Sequence, residues 1–349
     1  MNDHLTKLPT TRIRSLDIIR GIALFGILLI NVHFFVVTDI FNIPDEVVPT
    51  DTWLGKLISI FVEKKFYSIF SFLFGVGFFI FATKAESKGW RPLRLFSRRL
   101  FFLFAIGLLH LFFFLGSILS TYALIALFIL PFYRRQTTTV EYWLSGGILV
   151  FTLSILGQRF FADEWYFVLF GNDGFLIWLM FLTGLWFGKK GLLLGDERAV
   201  ERLRTMQRVT APLFVVAVAL LTYTYASGSP YMDEYIALTA LPMASFYLSS
   251  LFLVLQSDKV AHYLQPIGYV GRMAFTNYLL QNMIGVALIY AFHQTESIYT
   301  LTMIALLIYI IQVIYSTIYF RYFNIGPFES IWRKFTYRHH YKDRMFPTS

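Results

Sequence analysis

Cysteine is absent from this 349-residue chain, which excludes disulfides, thiolate metal sites and a cysteine nucleophile together and leaves the redox compartment unmarked. Charge is scarce too. Asp, Glu, Lys and Arg supply 15% of the residues, where about 25% is usual, too few to clothe the two soluble domains that the length suggests. No HExxH, Walker or GxSxG pattern occurs, and the histidines at 33, 110, 262 and 293 share no ligand spacing, so no metal site is expected. No internal repeat is visible, which disfavours transporter architectures made of duplicated halves. The polar stretch Met1 to Thr11 lacks the apolar core and cleavage site of a signal peptide, so the first apolar run is expected to remain as a span.

What the chain has instead is hydrocarbon: 57% hydrophobic residues, 39 Phe, 21 Tyr and a mean hydropathy of +0.60. A bilayer core of about 30 Å needs roughly 20 helical residues. Ten runs approach that length, near 19–38, 66–83, 98–116, 117–133, 142–158, 173–189, 209–227, 235–256, 268–292 and 299–321, which predicts an all-α polytopic membrane bundle. The third and fourth of these must reverse in a tight turn around Gly116 and Ser117. Trp53 to Lys65 carries an apolar helical stripe opposite Lys56, Glu63, Lys64 and Lys65 and is expected along the outer interface. Gly195 to Arg208, charged with both signs, reads as an exposed cytoplasmic helix. The single bundle divides into an N-terminal part (1–135), middle spans with the charged helix (136–208) and a C-terminal part (209–349).

The net charge of +9 does not point to nucleic acid, because the cations sit at span ends. Lys7, Arg12, Arg14, Arg20, the block Lys84 to Arg99, Arg134, Arg135, Lys189 to Arg208 and the tail Arg333 to Arg344 fall on one side. Asp39, Asp45, Glu46, Asp51, Asp163, Glu164, Asp173, Asp233, Glu234 and Glu296 fall on the other. The positive-inside rule then puts both termini in the cytoplasm, with the lipid bilayer as the first partner and the plasma membrane as the location.

An ionisable or amide side chain inside a span costs about 2.5–3.5 kcal/mol on insertion scales, so those present are paired, wet or chemical. Asp17 and Arg20, three apart at the cytoplasmic rim, form a helix-start ion pair or hold a phosphate-bearing ligand. Asn31, eleven residues on, lies about 16 Å deeper. His110 sits at similar depth, either as a base or acyl carrier or as a hydrogen-bonding residue between helices. Arg272, Asn277, Gln281 and Asn282 form the densest polar face, and amides so placed also serve simply to join helices.

The segments Ser15-Leu16-Asp17 through Arg20-Gly21 with Asn31, Lys65-Phe66 to Phe70-Ser71-Phe72-Leu73-Phe74-Gly75-Val76-Gly77, and Gly107-Leu108-Leu109-His110 resemble the YeiB family of multispanning bacterial membrane proteins. Gly271-Arg272-Met273-Ala274 with Thr276-Asn277-Tyr278 and Gln281, then Gly326-Pro327-Phe328-Glu329 with Trp332-Arg333, resemble the domain of unknown function that closes these proteins. YeiB-type proteins are grouped with a transmembrane acyltransferase superfamily that includes the lysosomal heparan-α-glucosaminide N-acetyltransferase. That grouping implies a cytoplasmic acyl-CoA donor, an extracytoplasmic hydroxyl or amine acceptor and a histidine at the transfer step. The resemblance makes His110, Asn31 and Asp17 candidate catalytic residues and Arg20, Arg272, Asn277 and Gln281 candidate donor-binding residues. The chain departs from the family where members read Gly-Asp-Ile-Leu after the histidine, for here the run is Gly116-Ser117-Ile118-Leu119. A small-solute transporter and a non-catalytic scaffold remain as alternatives, and a second copy of the chain is a candidate partner.

Overall fold

The computed structural model describes residues 10–36, 48–49, 51–161, 164–292 and 297–345. Lys7 and the expected outer acids Asp39, Asp45, Glu46, Asp163 and Glu296 therefore lie outside the described residues. Among the described residues there is no strand, as the all-α expectation requires. The helices are α1 (Thr10–Asn31), α2 (Trp53–Phe61), α3 (Lys65–Glu86), α4 (Pro92–Leu111), α5 (Leu119–Leu127), α6 (Thr137–Gln158), α7 (Trp165–Phe170) and α8 (Asp173–Lys189). They continue as α9 (Glu197–Ser227), α10 (Met232–Val254), α11 (Asp258–Tyr263), α12 (Gln265–Arg272), α13 (Ala274–Phe292), α14 (Ile298–Tyr322) and α15 (Pro327–Met345).

Among the described residues, six stretches are long and apolar enough to cross a membrane: Arg14–Val36, Trp53–Glu86, Thr137–Gln158, Glu197–Ser227, Met232–Val254 and Ile298–Tyr322. Large apolar side chains on α6, α9 and α14, among them Leu149, Leu153, Val215, Val216, Ile311 and Ile314, stay exposed as lipid-facing residues do. The centre is α3, which packs on α1, α4, α8 and α10. It approaches α8 closely because Gly75 and Gly184 face each other's helices. A Cβ at Gly75 would lie 2.0 Å from the Phe181 carbonyl oxygen, and one at Gly184 2.0 Å from that of Phe72. Small residues supply the close contact that drives association in lipid, where the hydrophobic effect does not. The same device joins α1 to α12: a Cβ at Gly271 would stand 1.9 Å from the Asp17 carbonyl oxygen, and one at Gly21 2.2 Å from that of Ile267.

Several elements differ from expectation. The run 117–133 is not one helix, because α5 has nine residues and is followed by a 3-10 turn over Leu130–Arg134 with Pro131 in its first turn. The run 268–292 breaks at Met273 into α12 and α13. The charged segment 195–208 and the span after it form one 31-residue helix, α9, capped by Asp196 accepting from the Ala199 N–H. Lys64 and Lys65, expected on a polar face, are buried where α2 turns into α3. Lys64 takes a left-handed backbone, φ 59°, and its ammonium donates to Asp173 at 3.0 Å and Asp233 at 2.9 Å, pinning α3 to α8 and α10. Lys65 donates to the Ser59 carbonyl at 3.1 Å. Burial of each ammonium is offset by carboxylate or carbonyl partners.

Candidate functional site

From the Lys64 end, α3 runs about 33 Å to the end that carries Lys84. Beside it lies a cavity of about 710 Å³, walled by α1, α3, α4, α5, α12, α13 and α15. Away from the two ends of this cavity its lining is hydrocarbon, including Leu73, Phe74, Phe78, Phe96, Leu103 and Phe275.

One end is cationic. Arg20, Lys84, Lys88, Arg99, Arg272 and Arg333 line it, drawn from five helices and the turn after α3, and Glu329 is the one carboxylate in the lining. That carboxylate is already engaged. It accepts the Phe275 and Thr276 N–H groups at 2.9 and 3.0 Å and the Thr276 hydroxyl at 2.6 Å, closing the start of α13. Three cations are held by rings or carbonyls: Arg99 lies 4.1 Å over Trp332 and 4.7 Å over Phe81, Arg272 lies 4.5 Å over Phe320, and Lys88 lies 5.0 Å over Trp90. Arg272 also donates to the Asn324 carbonyl at 2.7 Å. Their own partners are mostly rings, so the charge is left to attract an anion. Tyr337 joins this rim from α15, and burial raises its phenol above the ordinary value against the pull of Arg99 and Arg333, leaving it a neutral donor at pH 7.

The other end is floored by Ile118, Leu119, Tyr122 and Tyr278. Behind Tyr278 stands a buried polar cluster. Its hydroxyl accepts the Ile118 N–H at 3.3 Å, and Asn31, Ser117 and Asn282 stand around it. Asn31 donates to the Asn282 carbonyl oxygen at 3.2 Å, and Ser117 Oγ is 2.8 Å from His110 Nδ1. The ring of His110 is 5.7 Å from that of Tyr278. The sharp reversal after α4 creates this arrangement by folding Ser117 back over the last turn of the helix that bears His110. Gly107 permits it, since a Cβ there would sit 2.4 Å from the Ser120 nitrogen. Beyond the cluster, Phe34 and Phe35 pack edge-on against Phe114.

The residues singled out from the sequence therefore fall into three groups. Arg20 and Arg272 line the cationic mouth, while Asp17 lies beside it, paired with Arg20 at 2.8 Å. Asn31 and His110 belong to the floor cluster. Asn277 and Gln281 face α14 instead: Asn277 donates to the Val270 carbonyl at 2.9 Å across the α12–α13 break and accepts from Tyr315, and Gln281 accepts from Gln312 at 3.2 Å. Tyr278 and Asn282 were the readable signal for the floor. They are i and i+4, one stripe of α13, about 100° from the stripe of Asn277 and Gln281.

Residues 187–339 match a family described as Protein of unknown function (DUF418). Over 96% of its length the chain is 31% identical to the "Uncharacterized 39.9 kDa protein in amylase 3'region" of Bacillus acidopullulyticus, covering 95% of that protein. It is 26% identical to "Uncharacterized protein YxaH" of Bacillus subtilis (strain 168), with 95% of each chain covered. It is 25% identical to "Uncharacterized protein YeiB" of Escherichia coli (strain K12), with 93% of this chain and 96% of the other covered. No solved structure matches.

Proposed function

Because the chain belongs to the YeiB family of membrane proteins, we propose that it is a plasma-membrane acyltransferase of ten spans with both termini in the cytoplasm. The donor is a CoA thioester entering from the cytoplasm, and the acceptor is a hydroxyl or amine on the other side. One observation carries this reading: a single cavity joins six cations to a tyrosine floor backed by a histidine. The arginines suit phosphate, since a guanidinium donates two parallel hydrogen bonds to it.

In the transfer the acceptor oxygen or nitrogen attacks the thioester carbonyl carbon. The carbon–sulfur bond breaks and the thiolate departs toward the mouth. The proton of the acceptor passes to His110 by way of the Tyr278 hydroxyl and returns to the thiolate. Asn31 and Asn282 hold Tyr278 in place for this relay. Ser117 stands where the family pattern has Asp, so here a hydroxyl, not a carboxylate, orients the imidazole.

The test uses the full chain in lipid discs. Acetyl-CoA binds and is slowly converted to free CoA, and His110→Ala binds it without conversion. Failure of the wild-type protein to bind acetyl-CoA overturns the proposal.

A further inference from the structure

Two glycines of α3 stand two residues apart and do opposite things. Gly75 is packed against α8, whereas a Cβ at Gly77 meets nothing within 4 Å and the residue lines the cavity. Gly77 is seven residues from Lys84 at the mouth and seven from Phe70 near the floor, about 10 Å from each along the helix. Aromatic rings bracket it. Phe96 of α4 packs 5.9 Å from Phe74 and 4.4 Å from Phe78, the residues one turn before Gly77 and immediately after it. A side chain at position 77 would therefore project between these rings into open space, halfway along the cavity.

We infer that Gly77 is the throat of the cavity: its missing side chain is what lets one slender arm of the donor pass from the cationic mouth to the tyrosine floor. This rests on the CoA-donor reading and adds to it a residue that governs reach. The nucleotide end of the donor, with its phosphates, stays above Gly77 among the arginines. The pantetheine arm runs past Gly77 and delivers the thioester below. Gly77 is a positioning residue, since it supplies space and no chemical group. A bulky substitution at this point separates headgroup binding from acyl delivery.

The experiment compares two probes on the intact protein in lipid discs: 3′,5′-ADP, which reaches only the mouth, and acetyl-CoA, which must pass the throat. Gly77→Leu and Gly77→Phe should bind 3′,5′-ADP within about twofold of wild type and lose about tenfold or more in acetyl-CoA affinity, the scale of inserting a side chain into occupied space. Gly77→Ala and Gly77→Val should give smaller, graded losses for acetyl-CoA alone. If every variant binds acetyl-CoA as wild type does, the throat is refuted and the donor reading stands. If wild type binds neither probe, both fall together. If even Gly77→Ala loses 3′,5′-ADP, Gly77 is a packing residue like Gly75 and the inference is wrong.

Discussion

Helix α13 presents two polar stripes to two different environments. On one, Asn277 and Gln281 meet Tyr315, Gln312 and Ser316 of α14, and Asn277 also satisfies a carbonyl in the last turn of α12. On the other, Tyr278 and Asn282 meet Asn31, Ser117 and, through Ser117, His110, with the cavity directly beside them. Both stripes are buried to the same degree. Burial of polar atoms alone therefore does not mark a site. What separates the two is an adjoining hollow and an imidazole, neither of which lies beside the α14 stripe among the described residues.

The contrast breaks first at His110. Replacing it with Ala should lower acetyl-CoA turnover by about 10²–10⁴-fold, the usual worth of a positioned acid–base group, while acetyl-CoA binding changes little. Turnover unchanged by this variant would place the floor cluster with the helix-joining amides. Next, Arg20→Ala combined with Arg272→Ala should raise the KM for the donor by about ten- to a hundredfold and leave kcat near wild type, because charge-assisted contacts at a wet rim bind ground and transition state alike.

Asn277→Ala should move the other observable. It strands the Tyr315 hydroxyl and the Val270 carbonyl, so unfolding stability should drop by about 1–3 kcal/mol, with donor affinity in the remaining folded protein unaltered. A donor defect without a stability defect would bring the α14 stripe into the site. The smallest expected effect is at Ser117→Ala, which removes one hydrogen bond from His110 and should slow turnover by about three- to tenfold. Stability should be nearly indifferent, and thermal unfolding in discs measures that.

Much of the mouth was legible because charge in a membrane chain obeys a simple economy: cations that flank apolar runs collect at one end, and Arg20, Arg272 and the Lys84 to Arg99 block do so. Depth was legible too, since counting 1.5 Å per residue from those cations puts Asn31 and His110 at one level. The face of α13 was not. Placing Arg272, Asn277, Gln281 and Asn282 on one face assumed a continuous helix, and the break at Met273 decouples Arg272 from the rotation of everything after it. Lys64 was misplaced for a related reason: its partners Asp173 and Asp233 are more than a hundred residues away, and no local pattern announces such a pairing. Tyr278 was passed over because a tyrosine in an aromatic-rich chain carries no signal by itself, and only its i, i+4 spacing to Asn282 marks it, although its hydroxyl stands among Asn31, Ser117 and Asn282.

The near-touching backbones at Gly21 and Gly271 bear on how this kind of protein can be taken apart. The recognisable segment 187–339 includes α12, yet α12 has its tightest seam with the first helix of the chain and not with its neighbours in sequence. More than half of the wall around the hollow likewise comes from upstream of that segment. Expressed by itself, the segment would present a glycine-lined groove with nothing to fill it, so the smallest piece on which activity can be sought restores α1 together with α3, α4 and α5.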